Sequence, residues 1–395
     1  MTQSDETYPY DDYCDYEANN EDLFDLCYIH PGRYLYGELI EHNMTQRDLA
    51  ITIGKTPAVI NGIIKGERDI NCEIAYLLES VLPDSYSALE WMKMQCDYNL
   101  GKISFDEKMK EKRLSIENWL LIKKHLKISY LKKHLDITDN IERNLSLVFN
   151  ALGVTSKEEF KSKINQLRQT ACFKKSQKLS IDPVNLMSWI VIARHKSQCQ
   201  ALDTSFDLNQ IENLKDELNQ VITENKNTFT RVETICNKYG IKFIREKKLE
   251  KVPVDGYSFW VGKNPTIVMT GRMERIDNFA FTLLHELGHI EKHLEADRNI
   301  DFMDIDTIVD SHKMNDKEQE ANQYATDAIW KGENLNKIFS NIKNPLSASR
   351  YLKNIAISRH LNPGVVAGQY RHYCYVNELT KNAYAICPDL TEKIQ

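Results

Sequence analysis

The spacing of apolar residues divides this chain into long helical stretches and one short β-rich stretch. From residue 31 to about residue 235, apolar side chains recur every three or four positions, as on the buried face of a helix. The pattern then changes to three short β-rich runs, namely Gly240–Arg245, Tyr257–Val261 and Thr266–Thr270. Gly262–Pro265 separates the last two runs and predicts a hairpin. The expected fold class is therefore mainly α with a small β-sheet (α+β).

One predicted helix carries five residues whose spacing indicates chemistry, His285-Glu286-Leu287-Gly288-His289. Two histidines four positions apart lie one turn apart on the same helix face, so both imidazoles can bind one Zn²⁺ ion. Glu286 lies beside them and can act as the general base for water that the ion makes acidic. Gly288 lowers helix stability, and its missing side chain indicates that another element packs closely there. The motif predicts a hydrolase with one Zn²⁺ per chain.

A third ligand is expected from the next predicted helix, residues 316–330. Glu318 and Asn322 lie one turn apart on its inward face, so Glu318 can bind the ion while Asn322 orients a ligand histidine through its second ring nitrogen. Glu320 is the alternative ligand, although it lies about 160° around the helix from that face. His293 continues the motif face by one turn, and we expect it to support the site rather than to bind the ion. We take Thr266–Thr270 as the sheet edge where a peptide substrate could pair.

Nearer the N-terminus, the sequence predicts two short helices joined by a tight turn. Thr45 with Asp48 resembles an N-cap, Gly54-Lys55 makes the turn, and Thr56-Pro57 opens the second helix. A second helix of this kind can lie in the DNA major groove. The residues expected to face bases are Lys55, Thr56, Pro57, Ala58 and Asn61, and those expected to meet phosphates are Lys65 and Arg68. The alternative is a small helical bundle for dimerisation or for holding a protein partner.

Composition and charge narrow the class of protein. The nine cysteines are scattered, without a C-x-x-C pair, which indicates a reduced cytoplasmic chain. No run of 18 apolar residues occurs, so we expect no membrane association. Residues 1–30 contain nine carboxylates and no Lys or Arg, whereas the net charge of the whole chain is −6. This acidic segment is expected to be a disordered, solubilising tail, or else an arm that competes with DNA for basic surface.

Two segments resemble known families. Residues 31–100 resemble the HigA-type antitoxin branch of the lambda-repressor-like helix-turn-helix family, from Pro31-Gly32 through the N-G-x-x-x-G-x-R ending at Arg68 to Trp91…Tyr98-Leu100. That resemblance implies binding to operator DNA, often as a dimer. Further along, the strings FTLLHELGHIEKHL, EQEANQYA and LNPGVVAGQYRH resemble the ImmA/IrrE family of zinc metallopeptidases.

The second resemblance implies a gluzincin-like fold and cytoplasmic cleavage of a repressor or an antitoxin-like protein. It also implies that His285 and His289 are zinc ligands, that Glu286 is the catalytic base, and that a Glu of the following helix is the third ligand. Here, however, the peptidase-like segment follows a HigA-like segment on one chain. The substrate could therefore be a separate repressor, an antitoxin or toxin, or this chain itself.

Five segments are expected in all. They are an acidic tail (1–30), an all-α helix-turn-helix domain (31–100), a helical connecting region (101–235), a metallopeptidase domain (236–375) and a C-terminal tail (376–395). The function expected is a DNA-binding regulator carrying a zinc endopeptidase, with operator DNA and a regulatory protein as partners and a possible homodimer. The competing hypothesis is a non-proteolytic repressor or antitoxin whose zinc domain senses metal or binds a partner.

Overall fold

The chain divides into two compact units, Met1–Glu117 and Asn118–Gln395, called here the N-terminal and C-terminal units. The computed structural model describes residues 24, 28–173, 181–270, 274–305, 316–342, 344–380 and 382–395. Most of the predicted acidic tail lies outside the described residues. The expected fold class is confirmed, since many helices accompany one four-stranded mixed sheet. Among the described residues, no helix combines the length and apolar character needed to cross a membrane.

The described part of the N-terminal unit consists of helices. They are α1 (Pro31–Glu41), α2 (Gln46–Thr52), α3 (Pro57–Ile64), α4 (Cys72–Val81), α5 (Ala88–Phe105) and the first part of α6 (Glu107–His125). Their shared core contains Leu35, Leu49, Ile60 and Trp91, each with no exposed surface. This core holds the helices of the unit together.

The two short helices predicted near Thr45 are present as α2 and α3. Thr45 and Asp48 form a reciprocal capping box, because the Asp48 amide donates to the Thr45 hydroxyl and the Thr45 amide donates to the Asp48 carboxylate. Gly54 has a φ of +67°, which lets the chain turn tightly before Pro57 opens α3. α2 and α3 are thus two short helices joined by a tight turn at the positions that the turn signals indicated.

The C-terminal unit places its sheet between two helical layers. The helices before the sheet are α7 (Ile128–His134), α8 (Ile141–Leu152), α9 (Lys157–Phe173), α10 (Pro183–Cys199), α11 (Ile211–Glu224) and α12 (Thr228–Lys238). The strands are β1 (Lys242–Arg245), β2 (Val254–Val261), β3 (Asn264–Met269) and β4 (Phe302–Ile305). The remaining helices are α13 (Ile276–His289), α14 (Asp316–Trp330), α15 (Leu335–Phe339), α16 (Ser349–Arg359) and α17 (Pro363–Val376).

The strand order is β1-β3-β2-β4. β2 and β3 form the predicted antiparallel hairpin, β1 runs parallel to β3, and β4 runs antiparallel to β2. The prediction that Thr266–Thr270 forms a sheet edge is wrong, because β3 lies between β1 and β2. A hairpin signal identifies which strands are neighbours, but it does not reveal that β1 will cover the outer side of β3.

Alternating residues of each strand enter two different cores. Ile267 and Phe243 face the layer that contains α13, whereas Val268 and Tyr257 face the layer that contains α10 and its buried Trp189. Helices within residues 118–199, assigned from sequence to a connecting region, therefore share a core with the sheet of the same unit. The sheet holds α13 in place from one side while those helices cover its other side.

The C-terminal segment, predicted to be a tail, packs into the core of its unit. Ile386 and Leu390 are buried there. The buried Arg371 side chain donates to the carbonyls of Ile386 and Cys387, at 2.8 Å each, and to the Asp277 carboxylate at 3.5 Å. Because Asp277 lies in the first turn of α13, this segment anchors the start of that helix.

We predict that Arg371→Met destabilises the C-terminal unit by about 3 kcal/mol, because it removes a buried guanidinium that donates to two buried carbonyls and pairs with the Asp277 carboxylate. Urea unfolding of the full chain, followed by intrinsic fluorescence, measures this. Four of the five tryptophans, Trp119, Trp189, Trp260 and Trp330, lie in this unit. The matched control is Arg359→Met, which removes a surface ion pair with Glu333 and should cost less than about 1 kcal/mol. Equal shifts in the two variants would contradict the anchoring role.

Candidate metal centre

Helix α13 presents its two histidines to the interior of the C-terminal unit. His285 and His289 are 2 % and 0 % exposed, and their Nε2 atoms lie 3.0 Å apart. The helix can approach α14 closely because residue 288 is glycine. A Cβ there would lie 2.9 Å from Cδ1 of Tyr324, so even alanine would push the two helices apart. The close packing expected at Gly288 is confirmed.

Glu318 on α14 completes a group of three donors. Its carboxylate oxygens lie 3.4 Å from Nε2 of His285 and 3.6 Å from Nε2 of His289. Zinc bound tetrahedrally with bonds near 2.0–2.1 Å separates its ligand atoms by about 3.3 Å. The three observed separations bracket this value, and the three donor atoms lie within 4.8 Å of one another. The residues therefore fit a tetrahedral metal ion without rearrangement of the backbone.

The second nitrogen of each imidazole is held by another side chain. Nδ1 of His285 lies 2.9 Å from Oδ1 of Asn322, and Nδ1 of His289 lies 3.1 Å from Nδ1 of His293. Because an amide oxygen only accepts, Nδ1 of His285 carries the proton and its Nε2 lone pair is directed at the cluster. The alternative ligand Glu320 lies outside the three-donor group and contacts His293 at 2.9 Å.

Glu286 is fully buried beside the cluster, in space that a glycine of the sheet provides. A Cβ at Gly256 on β2 would lie 2.4 Å from Oε1 of Glu286 and 2.8 Å from its Cγ. Any other residue at this position would displace the carboxylate. Gly256 directly precedes the predicted run Tyr257–Val261, and its role was not predicted from sequence. An isolated glycine in a strand commonly marks a close approach of this kind.

Negative charge favours a cation at this site. Burial alone would lower the pKa of His285, but its bond to the Glu318 carboxylate and the nearby charges of Asp304 and Glu286 outweigh burial and raise that pKa. The same carboxylates would stabilise a bound metal ion. Asp304 lies on β4, a strand that the sequence reasoning did not predict. Phe302 of the same strand stacks on the His289 ring, with centroids 4.1 Å apart.

The comparison with protein families agrees with this geometry. Residues 236–359 match the family model Peptidase_M78, described as an IrrE N-terminal-like domain. The matched segment contains all four strands, α13 and α14, and hence the complete donor group. The match supports a metallopeptidase-like hydrolase domain in this part of the chain. No curated protein matches the chain.

The residues predicted to contact DNA lie at or near α3 of the N-terminal unit. Thr56, Pro57 and Ala58 are exposed at its start, and Asn61 is half-buried one turn later. The remaining three are Lys65 and Arg68, which are exposed, and Lys55, which is half-buried and forms an ion pair with Glu73 at 2.7 Å.

Part of the Arg68 side chain packs against Gly62. A Cβ at Gly62 would lie 3.1 Å from Cδ of Arg68. The structure thus brings this set onto one short helix and its flanks.

We predict that Glu318→Gln weakens metal binding by on the order of 100-fold or more, because loss of a ligand should exceed the effect of losing a supporting contact. The measurement is the zinc dissociation constant of chelator-treated protein, obtained by competition with a chromophoric chelator. Asp327→Asn on the exposed side of the same helix is the matched control and should bind zinc as the wild type does. Unchanged affinity in Glu318→Gln would contradict the assignment.

Proposed function

We propose that this chain is a zinc-dependent endopeptidase joined to a DNA-binding regulator, and that it cleaves a regulatory protein such as a repressor, an antitoxin or a toxin. The observation that carries the proposal is the buried group of His285, His289 and Glu318 at tetrahedral spacing, with the buried Glu286 beside it. The family match over residues 236–359 supports peptide-bond hydrolysis. The proposal includes a cytoplasmic location, which rests on composition alone, and the possibility of a homodimer.

In this mechanism His285, His289 and Glu318 would hold one Zn²⁺, and Asn322 and His293 would keep the imidazole lone pairs directed at it. When bound, the ion supplies Lewis-acid polarisation of the substrate carbonyl and lowers the pKa of water. Glu286 takes a proton from the attacking water and later delivers it to the leaving amine. Among the described residues the group contains three protein donors, which fits a catalytic site better than a closed structural site.

We further propose that an extended substrate segment pairs with β4. Among the described residues β4 pairs with β2 on one side only, so it is an edge strand. Its Phe302 stacks on His289, and its Asp304 charge acts on His285, so this edge lies beside the cluster. Main-chain pairing along such an edge would place a peptide carbonyl near the metal without requiring a particular side chain.

We predict that Glu286→Gln retains zinc and fold but lowers cleavage by about 10²–10⁴-fold, because glutamine has similar size and cannot accept the proton. Wild type and variant are each incubated with a peptide library of proteome origin and with the products of neighbouring genes. New N-termini are then counted by mass spectrometry, and the chain itself is searched for self-cleavage.

The same assay distinguishes the peptidase from the competing non-proteolytic regulator. Asp327→Asn serves as control and should cleave as the wild type does. If the wild type binds zinc but generates no new N-termini above the Glu286→Gln background, the non-proteolytic hypothesis replaces the peptidase. Zinc content is measured on the same samples. It shows whether a variant is inactive because it has lost the metal ion or because it has lost the general base.

We also propose that α3 of the N-terminal unit contacts operator DNA. Two observations support this: a tight turn at Gly54 precedes α3, and the start of α3 is exposed rather than packed into the core. Lys65 and Arg68 at the other end of the helix carry exposed charge that suits phosphate contacts. A homodimer would place two such helices on two half-sites.

We predict that Asn61→Ala weakens binding to the DNA upstream of the chain's own reading frame by roughly 5- to 150-fold, since a good base contact contributes about 1–3 kcal/mol. Lys65→Ala should instead reduce the slope of log affinity against log salt concentration by about 1, because one phosphate contact is lost. Fluorescence anisotropy at several salt concentrations measures both, with Lys93→Ala on an exposed part of α5 as the control. If neither variant differs from the control, the unit is a protein-interaction module.

A further inference from the structure

Three side chains connect the candidate metal centre to the protein surface. His289 contacts His293 through their Nδ1 atoms at 3.1 Å, and Nε2 of His293 contacts Oε2 of Glu320 at 2.9 Å. Both imidazoles are buried, whereas the Glu320 side chain is 62 % exposed. The order of contacts therefore runs from a buried donor to a carboxylate in water.

With both imidazoles neutral, hydrogen-bonding rules place the protons in the Glu320–His293–His289 series. An ionised carboxylate only accepts, so Nε2 of His293 carries a proton that it donates to Glu320. The Nδ1 atom of a neutral His293 then has a lone pair and accepts the proton of His289 Nδ1. His289 is left with its Nε2 lone pair directed at His285 and Glu318, as a metal ligand requires.

Local structure supports these contacts. The helix widens to a π-turn at Ile290–Leu294, directly after α13, and His293 lies in this turn. Phe302 packs over both rings, with centroids 4.1 Å from His289 and 5.1 Å from His293. This cover shields the bond between the imidazoles from water, which strengthens it.

The two histidines of the motif thus have unlike partners. Nδ1 of His285 meets the neutral amide of Asn322, whereas Nδ1 of His289 is linked through His293 to the negative charge of Glu320. A carboxylate bonded to the second nitrogen of a ligand histidine makes that imidazole a better donor to a metal. Here His293 lies between the carboxylate of Glu320 and the imidazole of His289. Glu320 lies two residues from Glu318, so one segment of α14 provides both a donor to the cluster and the end of the series.

We propose that Glu320 is a positioning residue that acts through His293 to fix the tautomer of His289 and to raise its affinity for the metal ion. The proposal rests on the metal site of the proposed function, but it does not require that the protein cleaves peptides. It also assigns to Glu320 a role other than that of a ligand. The effect should pass through His293 and vanish when that side chain cannot relay it.

The test is a double-variant cycle on the full-length protein, with zinc affinity as the readout. Glu320→Gln keeps an acceptor but removes the charge, and it should weaken zinc binding about 10-fold. His293→Phe breaks the series and should weaken binding by about 10- to 100-fold, and adding Glu320→Gln to it should cause no further loss. Asp327→Asn is the control. The absorption bands of bound Co²⁺ should shift in Glu320→Gln and stay unchanged in the control.

Two results from the variants would overturn the proposal. One is a Glu320→Gln affinity equal to that of the control. The other is an equal loss from Glu320→Gln with and without His293→Phe, which would indicate a through-space charge effect. Thermal unfolding of each metal-free variant checks the fold, and His293→Gln, which keeps a polar partner for His289, replaces His293→Phe if that variant unfolds. A wild type that binds no zinc would refute both the metal centre and this proposal, whereas zinc binding without cleavage refutes the peptidase alone.

Discussion

The close approach of α13 and α14 is the contact on which the candidate metal centre depends. His285 and His289 come from one helix and Glu318 from the other, and their donor atoms meet only because Gly288 lets Tyr324 lie against the backbone of α13. The negative charge that gathers there is costly to bury without a positive partner. A metal ion at the centre of the three donors would supply that partner, which links helix packing directly to metal binding.

The sheet contributes to the same centre from the other side. Gly256 provides the space for the Glu286 carboxylate, and Phe302 covers the imidazole of His289. The sheet is in turn held by the helices of residues 118–199 on its far face, and α13 is held at its start by Arg371 and the C-terminal segment. Each layer of the C-terminal unit therefore restricts the positions of the side chains at the candidate metal centre.

Local signals predicted much of this arrangement, and the non-local features escaped them. The spacing of His285 and His289 and the inward face of α14 follow from helix periodicity, so Glu318 and Asn322 could be predicted from the sequence. Strand order, by contrast, depends on which segments pair across long stretches of chain, and for this reason β3 was wrongly expected at the edge. The bond between Glu320 and His293 could not be predicted from sequence either. Helix periodicity places Glu320 away from the inward face of α14, and the π-turn that carries His293 was not predicted.

Zinc K-edge X-ray absorption of the full-length protein tests the central claim most directly, because it reports the atoms that surround the ion. The account predicts one zinc per chain, with two imidazole nitrogens, at least one carboxylate oxygen and one further light atom, all at about 2.0–2.2 Å. The metal-free Glu318→Gln protein, reloaded under the same conditions, should lose this shell. Sulfur neighbours at about 2.3 Å, or a wild type that retains no zinc, would contradict the account.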